Sequence, residues 1–285
     1  MAFRTLISTD ALAARLGDPA FTIIDCRFKL ADVDWGEGEW KAGHIRGAGY
    51  AHLDRDLSGP VTGTNGRHPL PESAALARTL GRLGVTSGKQ VVAYDQDNGM
   101  FASRLWWLLR WMGHDAAAVL DGGLAKWVSE GRAISGAEDQ GARSEPVEFH
   151  SSAPRAGMTV GVDEVAARRL DPAWRLVDSR APERYRGDIE PMDPVAGHIP
   201  GAANYFFEQS IGERGTFRTP EDLRERFAPV IGGVAPEHVV SYCGSGVQAC
   251  HTLLALEHAG VSGGKLYPGS WSEWCSDPSR PVARP

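Results

Sequence analysis

The sequence predicts an α/β protein in which one structural unit occurs twice, each copy a mainly parallel sheet flanked by helices on both faces. The length of 285 residues favours two domains over one. Short apolar runs rich in valine and isoleucine alternate with amphipathic helical stretches, as in parallel α/β folds. Matching landmarks recur in the same order in the two halves. Together these observations favour a duplicated α/β unit.

The repeat rests on pairs of similar segments. The pairs are FTIIDCR (21–27) with WRLVDSR (174–180), AGHIRGAGY (42–50) with AGHIPGAANY (196–205), KQVVAYD (89–95) with EHVVSYC (237–243), and DGGLAKW (121–127) with PGSWSEW (268–274). The spacing between partners drifts by only a few residues, as small loop insertions would produce. The chain is therefore interpreted as a duplication.

The elements of the first copy follow in order from its pattern. A helix begins near residues 8–10, where Ser, Thr and Asp can each cap it. Three apolar runs predict buried strands: 23–24, 91–94 and 119–120. A further helix over 102–112 is expected to stop at Gly113.

The second copy shows the same alternation. Its pattern predicts a strand over 239–242 and a helix over 249–258, with Gly260 as the residue that ends it. Between the copies, residues 135–157 are rich in Gly, Ser, Glu and Pro and lack periodicity, which is typical of a linker. The expected domain bounds are 1–140, 141–157 for the linker and 158–285.

Composition and charge exclude several classes of protein. Thirty basic and 36 acidic residues give a net charge of −6, which does not fit a nucleic-acid-binding surface. No apolar run reaches the ~18 residues of a membrane span, and no signal core follows the N-terminus. Four cysteines without paired spacing favour a reducing, cytoplasmic compartment. The histidines form no metal-binding pattern, so neither a metal nor a cofactor is predicted.

The segment around Cys243 carries the most chemical information. A predicted buried strand runs into this cysteine, then into a loop containing Gly244 and Gly246, then into a helix. Glycines allow successive backbone N–H groups to point inward, and the helix adds the positive end of its dipole. Both effects stabilise a thiolate, at the sheet edge where such folds bind ligands. A purely structural buried cysteine is the alternative.

The same loop argues against a phosphatase, and the first copy against a second active site. A cysteine phosphatase needs an arginine six positions after the nucleophile, where this chain has Ala249. In the first copy Asp95 occupies the position of the cysteine. Because a carboxylate cannot perform thiolate chemistry, the first domain is expected to be catalytically inactive.

Three arginines follow the predicted strand that ends at Asp178. They are Arg180, Arg184 and Arg186, and they are expected near the rim of the same site. The planar guanidinium suits a carboxylate or sulfonate head group on the substrate. Ion pairs with the neighbouring acidic residues, as a surface charge network, remain the alternative.

With these motifs the chain resembles the tandem-domain sulfurtransferases of the rhodanese family. The resemblance covers nearly all of both copies: AGHI followed by Arg or Pro and then Gly-Ala, twice; DGGLAKW and PGSWSEW; and the Cys243 loop. The order Cys-Gly-Ser-Gly-Val over 243–247 resembles the 3-mercaptopyruvate branch, because the thiosulfate branch carries basic residues directly after the cysteine. Gln248 stands where the family usually has threonine.

The resemblance implies two tandem rhodanese-like domains and a two-step mechanism. Sulfur would pass from 3-mercaptopyruvate to a Cys243 persulfide and then to cyanide or a thiol such as thioredoxin. Thiosulfate as donor, or a non-catalytic persulfide carrier, are the alternatives. The implied catalytic residues are Cys243, Ser245 and His44. The implied substrate-binding residues are Arg184, with Arg180 or Arg186 as a substitute for an arginine absent at Asp193, and the loop residues Gly244, Gly246, Val247 and Gln248. No nucleic-acid or membrane partner is implied.

Overall fold

A computed structural model describes residues 2–136, 139, 147–149 and 153–284. The chain divides into two compact units. Unit 1 comprises Met1–Ser58, Pro71–Arg155 and Glu213–Phe217. Unit 2 comprises Gly59–Leu70, Ala156–Gly212 and Arg218–Pro285. The predicted linker over 141–157 falls mostly outside the described residues, so its bounds stay a prediction.

Unit 1 contains a five-stranded sheet in the order β1-β5-β4-β2-β3, with every neighbouring pair parallel. The strands are β1 (Leu6–Ile7), β2 (Phe21–Asp25), β3 (Gly49–Tyr50), β4 (Gln90–Tyr94) and β5 (Ala117–Leu120). The helices are α1 (Thr9–Ala13), α2 (Trp35–Ala42), α3 (Leu53–Asp56), α4 (Ser73–Arg82), α5 (Ala102–Trp111) and α6 (Gly123–Ser129). The two central strands β4 and β5 are buried throughout, as their continuous apolar runs predict.

Unit 2 repeats this plan with a four-stranded parallel sheet in the order β7-β6-β8-β9. The strands are β6 (Arg175–Asp178), β7 (Ala203–Asn204), β8 (Val239–Tyr242) and β9 (Lys265–Leu266). The helices are α7 (Val162–Arg168), α8 (Pro182–Arg186), α9 (Pro220–Ile231), α10 (Val247–His258) and α11 (Ser270–Trp274). Two 3₁₀ helices span Phe207–Ser210 and Pro236–His238. The prediction of two α/β domains with mainly parallel sheets is confirmed.

The local signals explain where the helices begin and end. Ser8 is the residue that caps α1, and its side chain accepts a hydrogen bond from the Ala11 N–H. The helix predicted over 102–112 ends at Trp111, with Gly113 in the left-handed region at φ 87°. The helix predicted from residue 249 begins earlier, at Val247, because Gly246 adopts φ 82° and sets its N-terminus. Among the described residues no helix is both long and apolar enough to cross a bilayer.

A buried ion pair closes the end of β2 in unit 1 and the end of β6 in unit 2. In unit 2, Arg180 donates to both oxygens of Asp178 and, through Nη2, to the Gly197 carbonyl at 2.7 Å. In unit 1, Arg27 donates in the same way to Asp25 and to the Gly43 carbonyl at 2.6 Å. Each pair therefore ties a strand end to a Gly-His-Ile segment, which explains why both motifs recur.

The units exchange short segments of chain. Gly59–Leu70 lies in the N-terminal half of the sequence yet belongs to unit 2. Glu213–Phe217 lies in the C-terminal half yet belongs to unit 1. The repeat gives no sign of this exchange, because both segments fall between its matching landmarks. The exchange brings two residues that the sequence analysis did not single out, Arg67 and His68, into the unit that contains the cysteine loop.

Candidate active site

Cys243 follows β8 directly, and its sulfur lies beneath the backbone of the loop that comes next. The Ser245 N–H lies 3.4 Å from Sγ and the Gly246 N–H lies 3.1 Å from it, and both donate to the sulfur. The thiol is 2 % exposed, so this amide pair faces it in a largely dehydrated setting. Two N–H donors on one sulfur stabilise its anionic form. The predicted amide-lined loop is present.

Glycine is required at position 246 for two reasons. The backbone there has φ 82°, which L residues with a side chain rarely adopt. A Cβ would also lie 2.6 Å from the Pro268 carbonyl oxygen. Gly246 thus lets the chain turn from the sulfur straight into α10, a helix of 12 residues whose positive end faces the loop.

The first turn of α11 holds the cysteine loop from the other side. The Cys243 N–H donates to Ser270 Oγ at 3.1 Å, and the Trp271 N–H donates to the Cys243 carbonyl at 2.9 Å. The Ser272 N–H donates to the Gly244 carbonyl at 3.0 Å. Ser270 itself has φ 56°, a strained conformation for a residue other than glycine. The PGSWSEW motif therefore fixes the loop in place.

Ser245 has a histidine partner, which is His68 and not the predicted His44. His68 Nδ1 lies 2.7 Å from Ser245 Oγ, and both residues are nearly buried. His44 belongs to unit 1, where its Nδ1 contacts the Trp40 carbonyl at 2.7 Å and its ring stacks on the Trp40 ring. The catalytic role of His44 stays a prediction, and the contact that the structure shows at Ser245 belongs to His68.

The counterpart of His44 shows why this histidine recurs. His198 Nδ1 contacts the Tyr185 carbonyl at 2.8 Å, and its ring stacks on Tyr185 with a centroid distance of 3.8 Å. Both histidines thus hold the end of a helix through a backbone carbonyl. A shared structural role explains the motif without any chemistry at the sulfur.

The arginines predicted from the sequence separate into two roles. Arg180 is fully buried, bound to Asp178 and lying over the Trp271 ring at 4.8 Å. Because it has no exposed surface, its contacts favour a structural role, and substrate binding by Arg180 stays a prediction. Arg184 does lie beside the cysteine loop, because a Cβ placed on Gly244 would be 3.4 Å from its Nη1 atom. Arg186 is exposed and pairs with Asp188 at 2.8 Å.

Arg67 also lies at the loop, although nothing in the sequence analysis singled it out. A Cβ on Gly244 would be 2.7 Å from Arg67 Nη2. Its guanidinium forms an ion pair with Asp193, which in turn lies 3.3 Å from Arg184 Nη2. Burial raises the pKa of the Asp193 carboxyl, with Arg67 opposing this rise and Glu190 adding to it. The signal that could have identified Arg67 is a positive charge directly before His68 in a Gly- and Pro-rich loop.

The remaining predicted residues lie in the loop or in the first turn of α10. Gly244 is buried beside the two guanidinium groups, Val247 is 5 % exposed, and Gln248 is half-buried. Cys250 is buried one turn further, and its thiol donates to the Gly246 carbonyl at 3.1 Å. Within the described ranges no group of three or more His, Cys, Asp or Glu residues could hold a metal ion.

Three kinds of chemical group lie around the Cys243 sulfur. Two backbone N–H groups donate to the Cys243 sulfur, an arrangement that can stabilise an anion there. A hydroxyl linked to an imidazole, Ser245 with His68, can carry a proton beside that sulfur. The guanidinium groups of Arg67 and Arg184 place positive charge at Gly244, where they can attract an anionic ligand.

Comparison with known proteins points to one family. A family model described as "Rhodanese-like domain" matches residues 8–130 and, a second time, residues 161–277. A probable 3-mercaptopyruvate sulfurtransferase from Pseudomonas aeruginosa is 45% identical over 285 residues, covering 99% of both chains. A putative thiosulfate sulfurtransferase from Mycobacterium tuberculosis is 37% identical over 288 residues, covering 99% of this chain and 97% of its own.

A solved structure agrees with these relatives. The crystal structure of a 3-mercaptopyruvate sulfotransferase from Escherichia coli superposes with a TM-score of 0.80 and 30% sequence identity, covering 94% of this chain and 99% of that one. The double match and the sequence identity confirm the predicted family and the predicted enzyme class, a sulfurtransferase. The chain, with its two copies of the matched domain, therefore belongs to the rhodanese family.

Proposed function

We propose that this protein transfers sulfur from 3-mercaptopyruvate, through a persulfide on Cys243, to a thiol such as thioredoxin or to cyanide. The observation that carries the proposal is the Cys243 sulfur beneath the N–H groups of Ser245 and Gly246. The names of the relatives support the reaction class, and the 45% identical relative is named for this donor. The site residues of the proposal are those that contact the loop: Cys243, Ser245, His68, Arg184 and Arg67.

In the first step the Cys243 thiolate attacks the sulfur of 3-mercaptopyruvate. A sulfur–sulfur bond forms and the carbon–sulfur bond breaks, with its electron pair leaving on the carbon as the enolate of pyruvate. The proton that leaves the donor's sulfur ends on the enolate carbon, and the Ser245 hydroxyl can relay it because His68 lies 2.7 Å from that hydroxyl. The persulfide that remains is anionic, and the loop N–H groups stabilise it.

In the second step an acceptor thiolate or cyanide attacks the outer sulfur of the persulfide. The new bond forms to that sulfur while the sulfur–sulfur bond breaks, and Cys243 leaves as the thiolate with which the cycle began. No external electron carrier is needed, because each leaving group takes the electron pair of the bond that breaks. The enolate takes the pair of the carbon–sulfur bond, and the Cys243 thiolate takes the pair of the sulfur–sulfur bond. Splitting one transfer into two in this way is the usual gain of nucleophilic catalysis.

Thiosulfate is the alternative donor, because the relative from Mycobacterium tuberculosis is named for it. The loop favours 3-mercaptopyruvate, since no side chain at Gly244 adds charge directly after the cysteine. Steady-state rates with both donors decide between them: we expect the higher kcat/KM with 3-mercaptopyruvate, and a clear preference for thiosulfate would overturn the choice of donor.

The direct test of the persulfide is intact mass. After incubation with 3-mercaptopyruvate and removal of excess donor, the protein should gain the mass of one sulfur atom. Cys243→Ala should lose this gain, whereas Cys275→Ala, a matched change in the same unit, should keep it. A persulfide that forms in Cys243→Ala would reject the proposal, and a persulfide that forms without turnover would favour the carrier alternative.

The first domain is proposed to be catalytically inactive. Asp95 stands where unit 2 has Cys243, and its carboxylate already accepts the N–H groups of its own loop. A cytoplasmic location is also proposed, with no nucleic-acid or membrane partner. Within the described residues the four cysteines form no disulfide, which is compatible with a reducing compartment.

A further inference from the structure

The dipeptide Asn-Gly occurs at two places in the chain, Asn65–Gly66 and Asn98–Gly99. The first lies in the segment that unit 2 takes from the N-terminal half, and the second lies in the turn after β4 of unit 1. Asparagine is chemically labile before glycine, because a backbone nitrogen without a neighbouring side chain can attack the asparagine side-chain carbon. The molecule therefore contains two copies of one reactive dipeptide, whose surroundings can be compared.

Most local features of the two dipeptides are the same. Each asparagine is half-buried and each glycine is buried. The two glycines have nearly equal backbone angles, φ 85° and φ 84°. The Asn65 side-chain oxygen accepts the Thr62 N–H at 2.9 Å. The Asn98 side-chain oxygen accepts the Met100 N–H at 3.2 Å. A donor in this position stabilises the negative charge that develops on the oxygen when a nucleophile attacks the carbon.

The attacking nitrogen distinguishes the two dipeptides. The Gly99 N–H donates to the Asp95 carboxylate at 2.9 Å. Attack by this nitrogen would break that hydrogen bond and leave a negative charge beside the carboxylate, and both cost free energy. Within the described residues the Gly66 N–H donates no hydrogen bond, so its nitrogen is free of both costs. The Asn65 side-chain nitrogen donates to the carbonyl of the exposed Pro60 at 3.0 Å, where water can replace it.

We propose that Asn65–Gly66 is a site of spontaneous modification, at which Asn65 is converted to isoaspartate and aspartate. The Gly66 nitrogen gives its proton to hydroxide and attacks the Asn65 side-chain carbon. A carbon–nitrogen bond forms, the bond to the side-chain nitrogen breaks, and that nitrogen leaves as ammonia with a proton from water. Water then opens the cyclic imide at either carbonyl, which gives isoaspartate or aspartate. No step oxidises or reduces an atom.

Isoaspartate at position 65 moves the residues that follow it. The chain then runs through the former side chain, which adds one backbone carbon and a bond of about 1.5 Å. Gly66 has no room to absorb the extra length, because a Cβ there would lie 2.6 Å from the Gly269 carbonyl oxygen. The displacement therefore reaches His68, whose Nδ1 lies 2.7 Å from Ser245 Oγ. A contact lengthened beyond about 3.5 Å is no longer a hydrogen bond.

Peptide mass mapping during incubation of the full chain at mildly alkaline pH tests the modification. Conversion of the side-chain amide to an acid is followed at both sites in the same sample. We expect conversion at Asn65 to be about tenfold or more faster than at Asn98, the effect of one hydrogen bond to a charged group. In denaturant that hydrogen bond is absent, so the two rates should become similar. Conversion at Asn65 that is no faster than at Asn98 in the folded protein would overturn the proposal.

Activity measurements test the displacement of His68. Turnover of 3-mercaptopyruvate by the incubated wild type should fall in proportion to the isoaspartate fraction, which is measured by chromatography of the peptides. Asn65→Gln should keep its initial kcat over the same incubation, because its longer side chain closes the ring much more slowly. Asn65→Asp adds the charge without the extra carbon and should keep the kcat of the wild type.

Two results would reject the displacement: full kcat after conversion to isoaspartate, or a loss of kcat in freshly purified Asn65→Asp. Mass mapping needs no turnover, so a failure of the proposed function and a failure of this inference are distinguishable.

Discussion

The two units use the same turn after a central strand for different anions. In unit 2 the turn after β8 surrounds the Cys243 sulfur with two N–H donors, from Ser245 and Gly246. In unit 1 the turn after β4 surrounds the Asp95 carboxylate with four N–H donors, from Asp97, Gly99, Phe101 and Ala102. An internal carboxylate thus saturates one loop, while the other keeps donors for a sulfur that can change its bonding. The same turn thus directs N–H donors at a carboxylate in one unit and at a thiol in the other, so the residue at its centre sets which chemistry is available.

The two exchanged segments also differ in the side chains that they bring to the loops. The segment Gly59–Leu70 brings His68 to Ser245 in unit 2. The segment Glu213–Phe217 brings Phe217 close to the unit 1 loop, where a Cβ on Gly99 would lie 3.7 Å from its ring. An imidazole therefore lies at the cysteine loop of unit 2, and an apolar ring lies at the Asp95 loop of unit 1. The chemistry of each loop agrees with that of the segment it receives.

The substitution with the largest expected effect is Cys243→Asp, which places in the unit 2 loop the carboxylate that occupies the unit 1 loop. We expect turnover to fall by ~10³-fold or more, since no persulfide can form. The fold should persist because the carboxylate can accept the same loop N–H groups. Activity assays and thermal unfolding check both parts. Asp95→Cys is the reciprocal control and should gain no activity, because the segment at that loop brings Phe217, where the segment at the cysteine loop brings His68.

The buried arginines test a feature that the two units share. Arg180→Gln leaves the Asp178 carboxylate buried without its partner, which costs about 3–5 kcal/mol of unfolding free energy. Arg27→Gln should lower the unfolding free energy by a similar amount in unit 1, because it leaves the buried Asp25 carboxylate without its guanidinium partner. Denaturant unfolding of the full chain measures both. If Arg180→Gln unfolds like the wild type but raises KM for the donor, the substrate role predicted from the sequence is restored.

The acidity of Asp95 offers a third test, one without a counterpart in unit 2. Burial raises the pKa of this carboxyl to about 6 from 3.8, although the backbone N–H groups of the loop oppose the rise. The proton is thus bound more tightly in the folded state. Its contribution to stability is fully present below about pH 4 and is lost as the pH rises through about 6.

Across that window the unfolding free energy should fall by about 3 kcal/mol on account of Asp95. Asp95→Asn cannot titrate, so the difference in stability between wild type and variant should change with pH by this amount. Denaturant unfolding at a series of pH values measures it. A difference that stays constant between about pH 4 and pH 6 would contradict the assignment to Asp95.

The mildest change is His68→Phe, which gives the cysteine loop of unit 2 the apolar neighbour of unit 1. We expect kcat to fall about a hundredfold through the loss of proton transfer by way of Ser245, with little change in donor affinity. His44→Asn is the matched control and should leave kcat unchanged while lowering stability, because it removes only the contact to Trp40. A loss of kcat in His44→Asn would instead support the catalytic role predicted for His44.

Features formed by contiguous residues could be predicted from the sequence, whereas contacts between distant segments could not. The strand, the glycines and the helix around Cys243 are contiguous, so local rules find them. His68 was missed because its contact with Ser245 depends on a segment exchange that leaves no periodic signal. The role of Arg180 was within reach: the order Asp-X-Arg occurs in both copies, and a feature shared with a copy that lacks the cysteine points to structure and not to binding.

The segment exchange has a consequence for the history of the duplicated gene. A protein consisting of residues 158–285 alone would keep the nucleophilic cysteine but would lack the imidazole and one of the guanidinium groups beside it, since His68 and Arg67 are encoded in the other half. Deleting the first copy would therefore remove both side chains from the surroundings of Cys243, although that copy has Asp95 and not a cysteine at the matching position.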